Sequence, residues 1–586
     1  MGTRINGVKK QESRGTTAPL GTHTLQLATT EFVDNAFADY GLDIAIGVKW
    51  KSDDTTPALT QIDSVGSTIA LTTTDWLRHR TFGRMYRCTL SDAGVVNHYY
   101  GDPAVSLTSF YDGTDGQVMV EVPKFWYKTT VSGVYFSWWQ SPIARDGYMI
   151  HPMFFYGSGL TTAFQVAANA TAGGGASTLA DTGRAWTVDA LIGNYVHISA
   201  GTGAGDTRKI TDNDGTTLTV GSAFSGTPDA TSVYRIDNAS EYGMATSGNA
   251  TNLYNTIAPW TINALVGMYV HIMAGTGIGQ QRKILSNTTT SMGVDTWTVN
   301  PDNTSVYAIS RLTDYVYISA FEGSFAGGSP YKLQSIANVA PGVSQTLTVF
   351  RTRAQARNAD PTARSVDGAG WQLLDGNTRN GFNLLCFIRD ATLNSQATYL
   401  GITDAGNTAA VITGFTSAIN VGTGYIDLGN KCGEAINQGT AAKRSFSRFG
   451  VENWFGNVWK WVDGIHIAVR RQYIANHGYY DVAAVPGTIY PYIDTTLVGN
   501  DGDGFQVSLL DPTATAFGSL NVCASVGGSG STYMCDHYYH TENIDRALLF
   551  GGCWDYAGSA GASDVRAAYP ASYVASFIGG RLVFKK

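Results

Sequence analysis

Two short runs hold the side chains best placed to do chemistry. Asn500-Asp501-Gly502-Asp503-Gly504 sets oxygen donors at alternate positions, an arrangement that suits a hard cation such as Ca²⁺. It has no distal Glu of the kind that completes a calcium loop, and Asp-Gly pairs also form plain turns. Asp536-His537-Tyr538-Tyr539-His540-Thr541-Glu542 brings two imidazoles three positions apart beside carboxylates. On a helix that spacing would hold a metal; in a tyrosine-rich loop it reads as a contact surface. The expectation is therefore no metal and no cofactor, with Ca²⁺ as the single candidate. Gly201-Thr202-Gly203-Ala204-Gly205 has the glycines of a phosphate loop but no following Lys-Ser/Thr, so it reads as a hairpin. His197 and His271 fall within strands and read as strand residues, not ligands. There is no Gly-x-Ser-x-Gly elbow and no His-Glu-x-x-His pair. The chain reads as a binding protein and not an enzyme. A glycoside-cleaving carboxylate pair would leave no sequence mark, since it is defined by separation in space.

Composition narrows the class. In 586 residues the charged fraction is 15%, with 68 Gly and 31 Tyr. Charge is well below the ~25% of average soluble proteins and Gly is above the usual ~7%, which points to a turn-rich β surface protein. A net charge of -7 argues against nucleic-acid binding by counterion release. No apolar run approaches the ~20 residues of a membrane-spanning helix, and the N-terminus lacks the apolar stretch of a secretory signal. Six cysteines are too few for a disulfide scaffold. Cys88, Cys386 and Cys432 read as buried thiols, and Cys523, Cys535 and Cys553 leave room for one bridge.

The elements that must position any site are clearest near the end. Val458, Lys460 and Val462 alternate with Trp459 and Trp461, the period of a strand. Trp454, Trp459, Trp461 and, further on, Arg581 are the expected scaffold. Glycines flank these strands at Gly456, Gly464, Gly551-Gly552 and Gly579-Gly580.

These segments resemble the C-type-lectin-like fold as used by formylglycine-generating-enzyme-like proteins and by phage variable adhesins. That family carries Gly-Asn-Val-Trp-Glu-Trp, Gly-Gly-Ser-Trp and a terminal Gly-Phe-Arg-Leu-Val; here Lys460, Cys553 and Gly580 replace the Glu, Ser and Phe. The enzyme branch needs a cysteine pair near the C-terminal end, and none follows Cys553, so the resemblance implies the fold without the activity. Upstream, Gln26-Leu27-Ala28-Thr29-Thr30 and Phe32-Val33 resemble a motif of phage tail fibre proteins, with Thr30 a plausible helix cap.

The expected fold class is a β-rich α+β, multidomain chain. Residues 1–40 form an N-terminal virion-attachment segment, and 41–163 a β-rich unit that shares in the lectin-like fold. Residues 164–237 and 238–312 form an inserted pair of small all-β repeats, and 313–586 the C-type-lectin-like domain. The repeat is read from Trp186, Tyr195-Val196-His197-Ile198 and Arg208-Lys209-Ile210. They recur 74 positions on as Trp260, Tyr269-Val270-His271-Ile272 and Arg282-Lys283-Ile284. Helices are predicted over 346–357 and 377–391.

The segment Trp554 to Ser576 contains no Lys, Glu, Gln or Met and resembles the mutable region of adhesins diversified by a retroelement. Tyrosine beside Ser and Gly also makes a good binding surface on physical grounds. The expected contacts are Trp554, Asp555, Tyr556, Ser559, Ser563, Asp564, Tyr569 and Tyr573. The resemblance implies a phage virion adhesin, in a tail fibre or tail tip. It would be made in the host cytoplasm without a signal peptide and bind a host cell-surface protein or glycan. It would be held to other tail proteins through its N-terminus and assemble as a homotrimer. A structural decoration or head fibre without a receptor, and a polysaccharide depolymerase, are the alternatives.

Overall fold

A computed structural model describes residues 42–585 apart from 158–164, 238–241, 257–259, 328–330, 360–368, 404–408, 417–424, 427–433, 439–444, 476–491, 542–545 and positions 172, 190, 193, 204–205, 398 and 514. Of the N-terminal segment it describes one short strand pair, Arg4–Ile5 with Val8–Lys9. The capped helix expected at Thr30 lies outside the described residues, as does Cys432.

The chain is β-rich, and its body is organised by two sheets whose central strands are buried on both faces. The first contains β1 (Gln117–Pro123), β2 (Tyr315–Ser319), β3 (Gly370–Leu373) and β8 (Leu582–Lys585). Here β8 lies between β3 and β2, and β2 pairs in turn with β1. Tyr317 and Trp371 both face Phe584 across the ladders, and Val316 faces Val122. The last strand thus shares a sheet with residues more than four hundred positions earlier. The 41–163 segment and the C-terminal region are one folded body at this sheet.

The second sheet contains β4 (Trp459–Ala468), β5 (His537–His540), β6 (Arg546–Phe550) and β7 (Val565–Tyr569). Strand β6 runs antiparallel to β4 and β7, and β5 runs parallel to β7. Side chains alternate across a strand, so each strand serves two cores. Val462, Ile465, Leu548, Phe550, Val565, Val120 and Val583 enter one; Trp459, Trp461, Leu549, Met119, Leu582 and Phe584 enter the other. A helix covers each. Helix α1 (Leu347–Gln355) sends Leu347, Phe350 and Ala354 into the tryptophan-rich core, while α2 (Gly376–Asp390) sends Phe382, Leu385 and Ile388 into the other. Thr346 and Asp375 cap them by accepting from Val349 N and Thr378 N, contacts worth about 1 kcal/mol each. Both helices end within a few residues of the predicted limits.

Lys460, on the strand face opposite Trp459 and Trp461, is wholly enclosed and paired to Glu322 at 3.0 Å. Pro152–Phe154 is a single 3-10 turn with His151 as cap, and a strand follows at Phe155–Gly157.

Between these parts lie two smaller β cores. One gathers Trp186, Val196, Ile210 and Tyr234; the other gathers Trp260, Val270, Ile284 and Tyr307. Tyr195 faces Lys209 and Tyr269 faces Lys283, with a bulge after Ile198 and another after Ile272. Asn213 Oδ1 accepts from Leu191 N at 2.8 Å, and Asn287 Oδ1 from Leu265 N at 2.9 Å. The chain leaves the body through Phe155–Gly157, which pairs antiparallel with the returning strand Val306–Leu312.

Candidate binding face

The face is built where β7 and the turn before it cross the tryptophan core. Gly551 and Gly552 adopt φ of 96° and 72°, a region open to glycine at little cost. A Cβ on Gly552 would meet Ala560 Cβ at 2.6 Å. The chain can therefore fold tightly back, and Trp554 tucks beneath with only 9% of its surface exposed. The turn that follows, Ala557–Ser559, is pinned from a different part of the chain. Gln396 Nε2 donates to Ala557 O and Ala560 O at 2.8 Å each, Ala557 N to Thr403 O at 2.6 Å, and Ala562 N to Ser395 Oγ at 2.8 Å. Buried or half-buried backbone groups are satisfied in this way, and the loop is held as a rigid shape.

On that support stand the aromatic side chains. Tyr556 meets the Trp459 ring edge-on at 5.0 Å, and Tyr569 and Tyr573 stack at 3.8 Å with planes 2° apart. All three tyrosines are half-buried against the tryptophan core. Asp555 is exposed and accepts from Cys553 Sγ at 3.0 Å, and Ser559 is half-buried. Burial pushes the Tyr556 phenol up to about 12, so it keeps its proton as a donor.

Three expected contacts do not reach the surface. Trp554 is part of the core, Ser563 is 6% exposed and Asp564 is wholly enclosed. Ser563 N is spent on Asp536 Oδ2 at 2.7 Å. Asp564 lies under the face with Asp536 and Arg379, and neither of its carboxylate oxygens has a hydrogen-bond partner among the described residues. Burial, with Asp536 beside it, pushes the Asp564 carboxyl well above the usual carboxylate range. Asp536 is itself pushed up to about 7 by burial, against hydrogen bonds from Ser563 N and Ser395 that pull it down. Burial brings Arg379 down to about 10. The contact set contracts to Asp555, Tyr556, Ser559, Tyr569 and Tyr573.

Sequence reading missed Arg566 and left Tyr539 without a role. Arg566 is half-buried on β7 opposite Tyr539 of β5. Its guanidinium carbon lies 4.3 Å from the Tyr539 ring centre and 4.9 Å from that of Tyr569, and Nη1 donates to Tyr556 Oη at 2.7 Å. The available signal was that Arg566 is the one cation between Trp554 and Ser576.

The scaffold residues are as deep as their roles require. Trp454, Trp459, Trp461 and Arg581 are each under 2% exposed. Arg581 donates to Ser319 O, Asn453 O and Glu452 O, which ties β8 to the loop before β4.

The metal-like runs are accounted for by protein contacts. Asp501 pairs with Arg470 at 3.3 Å, and Asp503 Oδ1 accepts from His540 N at 2.8 Å. His537 and His540 lie on a strand, where a spacing of three sends them to opposite faces. Glu542 lies outside the described residues. Among the described residues no group of three His, Cys, Asp or Glu could hold a metal. The described cysteines, Cys523, Cys535 and Cys553 among them, are free thiols. Gly201 to Gly203 turn between the strands Tyr195–Ala200 and Thr207–Asn213. His271 is buried beside Ser310 and Phe155; the side chain of His197 lies outside the described set. Among the described residues no helix is long and apolar enough to cross a membrane.

No protein-family model matches the chain, and no curated protein matches its sequence.

Proposed function

We propose that the chain is a phage virion adhesin of the tail fibre or tail tip, with a C-type-lectin-like C-terminal region that touches the host cell surface. The observation that carries this reading is the set of tyrosines, Tyr556, Tyr569 and Tyr573, held half-exposed on a tryptophan core by a loop that is itself pinned. Tyrosine offers large, rigid, amphipathic contact area at low entropic cost, and binding loops work best on a rigid frame. The resemblance of Gly456 to Trp461, Gly551 to Trp554 and Gly579 to Val583 to lectin-like adhesins supports the same reading. So does the likeness of Gln26 to Val33 to tail fibre proteins. In this reading residues 1–40 attach to the virion and three copies assemble. The two small β cores are an inserted repeat pair that spaces the ends, and the 554–576 segment is diversified by a retroelement. Matching registers at Tyr195/Lys209 and Tyr269/Lys283, and the pairing of the departing and returning strands, support the insertion.

The test is attachment of the full-length protein to host cells. Wild type should bind, and Tyr556→Ala with Tyr569→Ala should abolish binding while leaving the melting temperature within a few degrees. Equal binding by the double variant would return the reading to a structural decoration.

A further inference from the structure

We propose that Arg566 is the anchor of an anion subsite for an acidic glycan, a sugar chain bearing carboxylates or phosphates; this deepens the adhesin reading and rests on it. A guanidinium has five N–H donors in a planar fork. One goes to Tyr556 Oη, and Nε has no partner among the described residues. Among them, no carboxylate lies within ion-pair distance of Arg566. Arg351, by contrast, has Asp463 at 2.6 Å. The rings of Tyr539 and Tyr569 lie against the charge at 4.3 and 4.9 Å. They hold it by cation–π attraction, but their faces offer no lone pair to the in-plane N–H groups. The half-buried fork is thus positioned; its Nε is enclosed, and Nη1 and Nη2 keep N–H donors for an outside acceptor, a geometry that a bidentate carboxylate or phosphate matches.

Tyr556 adds to the same point. Its oxygen accepts from Arg566, so its own hydrogen is free to be donated to the same acceptor. The neighbouring acid beneath, Asp564, is held toward its uncharged form by burial, which removes competition from inside the protein. Asp555 at the rim is engaged by Cys553 Sγ.

The rest of the face favours a sugar chain over an acidic peptide. Tyr539, Tyr556, Tyr569 and Tyr573 are half-buried; Arg566 and Tyr573 occupy ring faces of Tyr539 and Tyr569, so the cluster offers ring edges and hydroxyls, suited to the hydroxyl edges of pyranose rings. Ala557, Gly558 and Ser572 beside them are small and exposed, leaving a shallow surface with room for an extended polymer.

The experiment uses the full chain and four probes: a hyaluronan oligosaccharide, which carries carboxylates; a phosphomannan, which carries phosphates; neutral dextran; and polyglutamate, an acidic peptide. Binding is followed by calorimetry at low and physiological salt. Wild type should bind one or both acidic glycans and not dextran, and the stronger of the two names the source of the anion. Arg566→Gln should weaken that binding by about tenfold or more, the worth of one charge-assisted contact. Arg566→Lys keeps the charge but loses the fork and should still weaken it by about fivefold. Lys283→Gln, which removes an exposed charge elsewhere, should change nothing. Should Arg566→Gln fail to fold, as judged by its melting curve, Arg566→Lys decides alone. Equal binding of dextran, equal loss in Lys283→Gln, undiminished binding in Arg566→Lys, or tighter binding of polyglutamate each overturns the proposal. Cell attachment separates it from its parent. Cells bound equally by wild type and Arg566→Gln would remove the subsite and leave the adhesin. Acidic glycan bound in solution by a protein that attaches to no cell would remove the adhesin and leave the subsite.

Discussion

Lys460 Nζ and Glu322 Oε1 meet at 3.0 Å with both side chains sealed from water. The ammonium also donates to Gly456 O at 2.6 Å, and Asn457 Nδ2 donates to Glu322 Oε2. Burial brings Lys460 down to about 8 despite the carboxylate beside it. Desolvation and attraction nearly cancel in such a pair, so its removal as a unit is tolerated while its halving is not. Lys460→Met should therefore cost about 3–5 kcal/mol of unfolding free energy. Lys460→Met with Glu322→Leu should recover about half of that or more, as coupled neighbours do, because Asn457 Nδ2 keeps Val411 O at 3.0 Å. Denaturant titration of the variants checks this; additive losses would show that the two groups act independently.

Three enclosed histidines set an acid limit on stability. Burial pushes His79 down to about 4, and His151 and His271 down to about 3. An unfolded imidazole titrates near 6.5, so between these values the unfolded chain binds more protons. Stability then rises with pH across that window and is lost as pH falls from about 6.5 toward 4. Each histidine supplies a loss on the order of 3 kcal/mol at the acid end. Denaturation midpoints measured through this range should fall, and His151→Gln should make the fall shallower. A pH dependence unchanged in His151→Gln would contradict the burial of that ring.

The acids beneath the binding face act with the opposite sign. Asp536 and Asp564 are raised in the folded state, above the ~3.9 of an unfolded carboxyl. The native state therefore holds protons that the unfolded state has released, and the stability they contribute at low pH is lost as pH rises above about 3.9, for Asp536 until about 7. Asp564→Asn keeps the shape without the charge. It should be close to neutral below about pH 4 and stabilise progressively as pH rises above that, by about 3 kcal/mol or more at about pH 8. The difference between variant and wild type at each pH isolates this effect from the histidines.

Local pattern carried much of the fold, and partner identity carried the rest. Trp459 and Trp461 read as core from their alternation, and Thr346 marked the start of α1. The offset of 74 was visible in residues such as Trp186 and Trp260, which sit in their respective cores. Period cannot name a strand's neighbour: the resemblance led to the expectation that 41–163 shares in the C-terminal fold, but not that Gln117–Pro123 and Leu582–Lys585 lie in one sheet. The same holds for depth. Aspartate is usually at the surface, and Asp564 is inside because Arg379, nearly two hundred residues earlier, and Asp536 lie beside it. Arg566 went unmarked because an arginine among small residues reads as solvated, and its tyrosine neighbour Tyr539 comes from another strand.

Gln396 offers a way to separate the shape of the binding loop from its chemistry. Its amide nitrogen holds Ala557 O and Ala560 O at 2.8 Å each, yet it contributes no side chain to the tyrosine face. Gln396→Ala frees two carbonyls near the surface, where water can replace the amide, so global stability should fall by only about 1 kcal/mol. The turn Ala557–Ser559 should open more often, and amide exchange from Ala557 to Ala562 should quicken by about tenfold. If the face binds through a preset shape, host-cell attachment should weaken chiefly through faster dissociation, because ordering the loop then falls on the binding step. Exchange that quickens with attachment unchanged would mean that the tyrosines find their contacts without the turn being held.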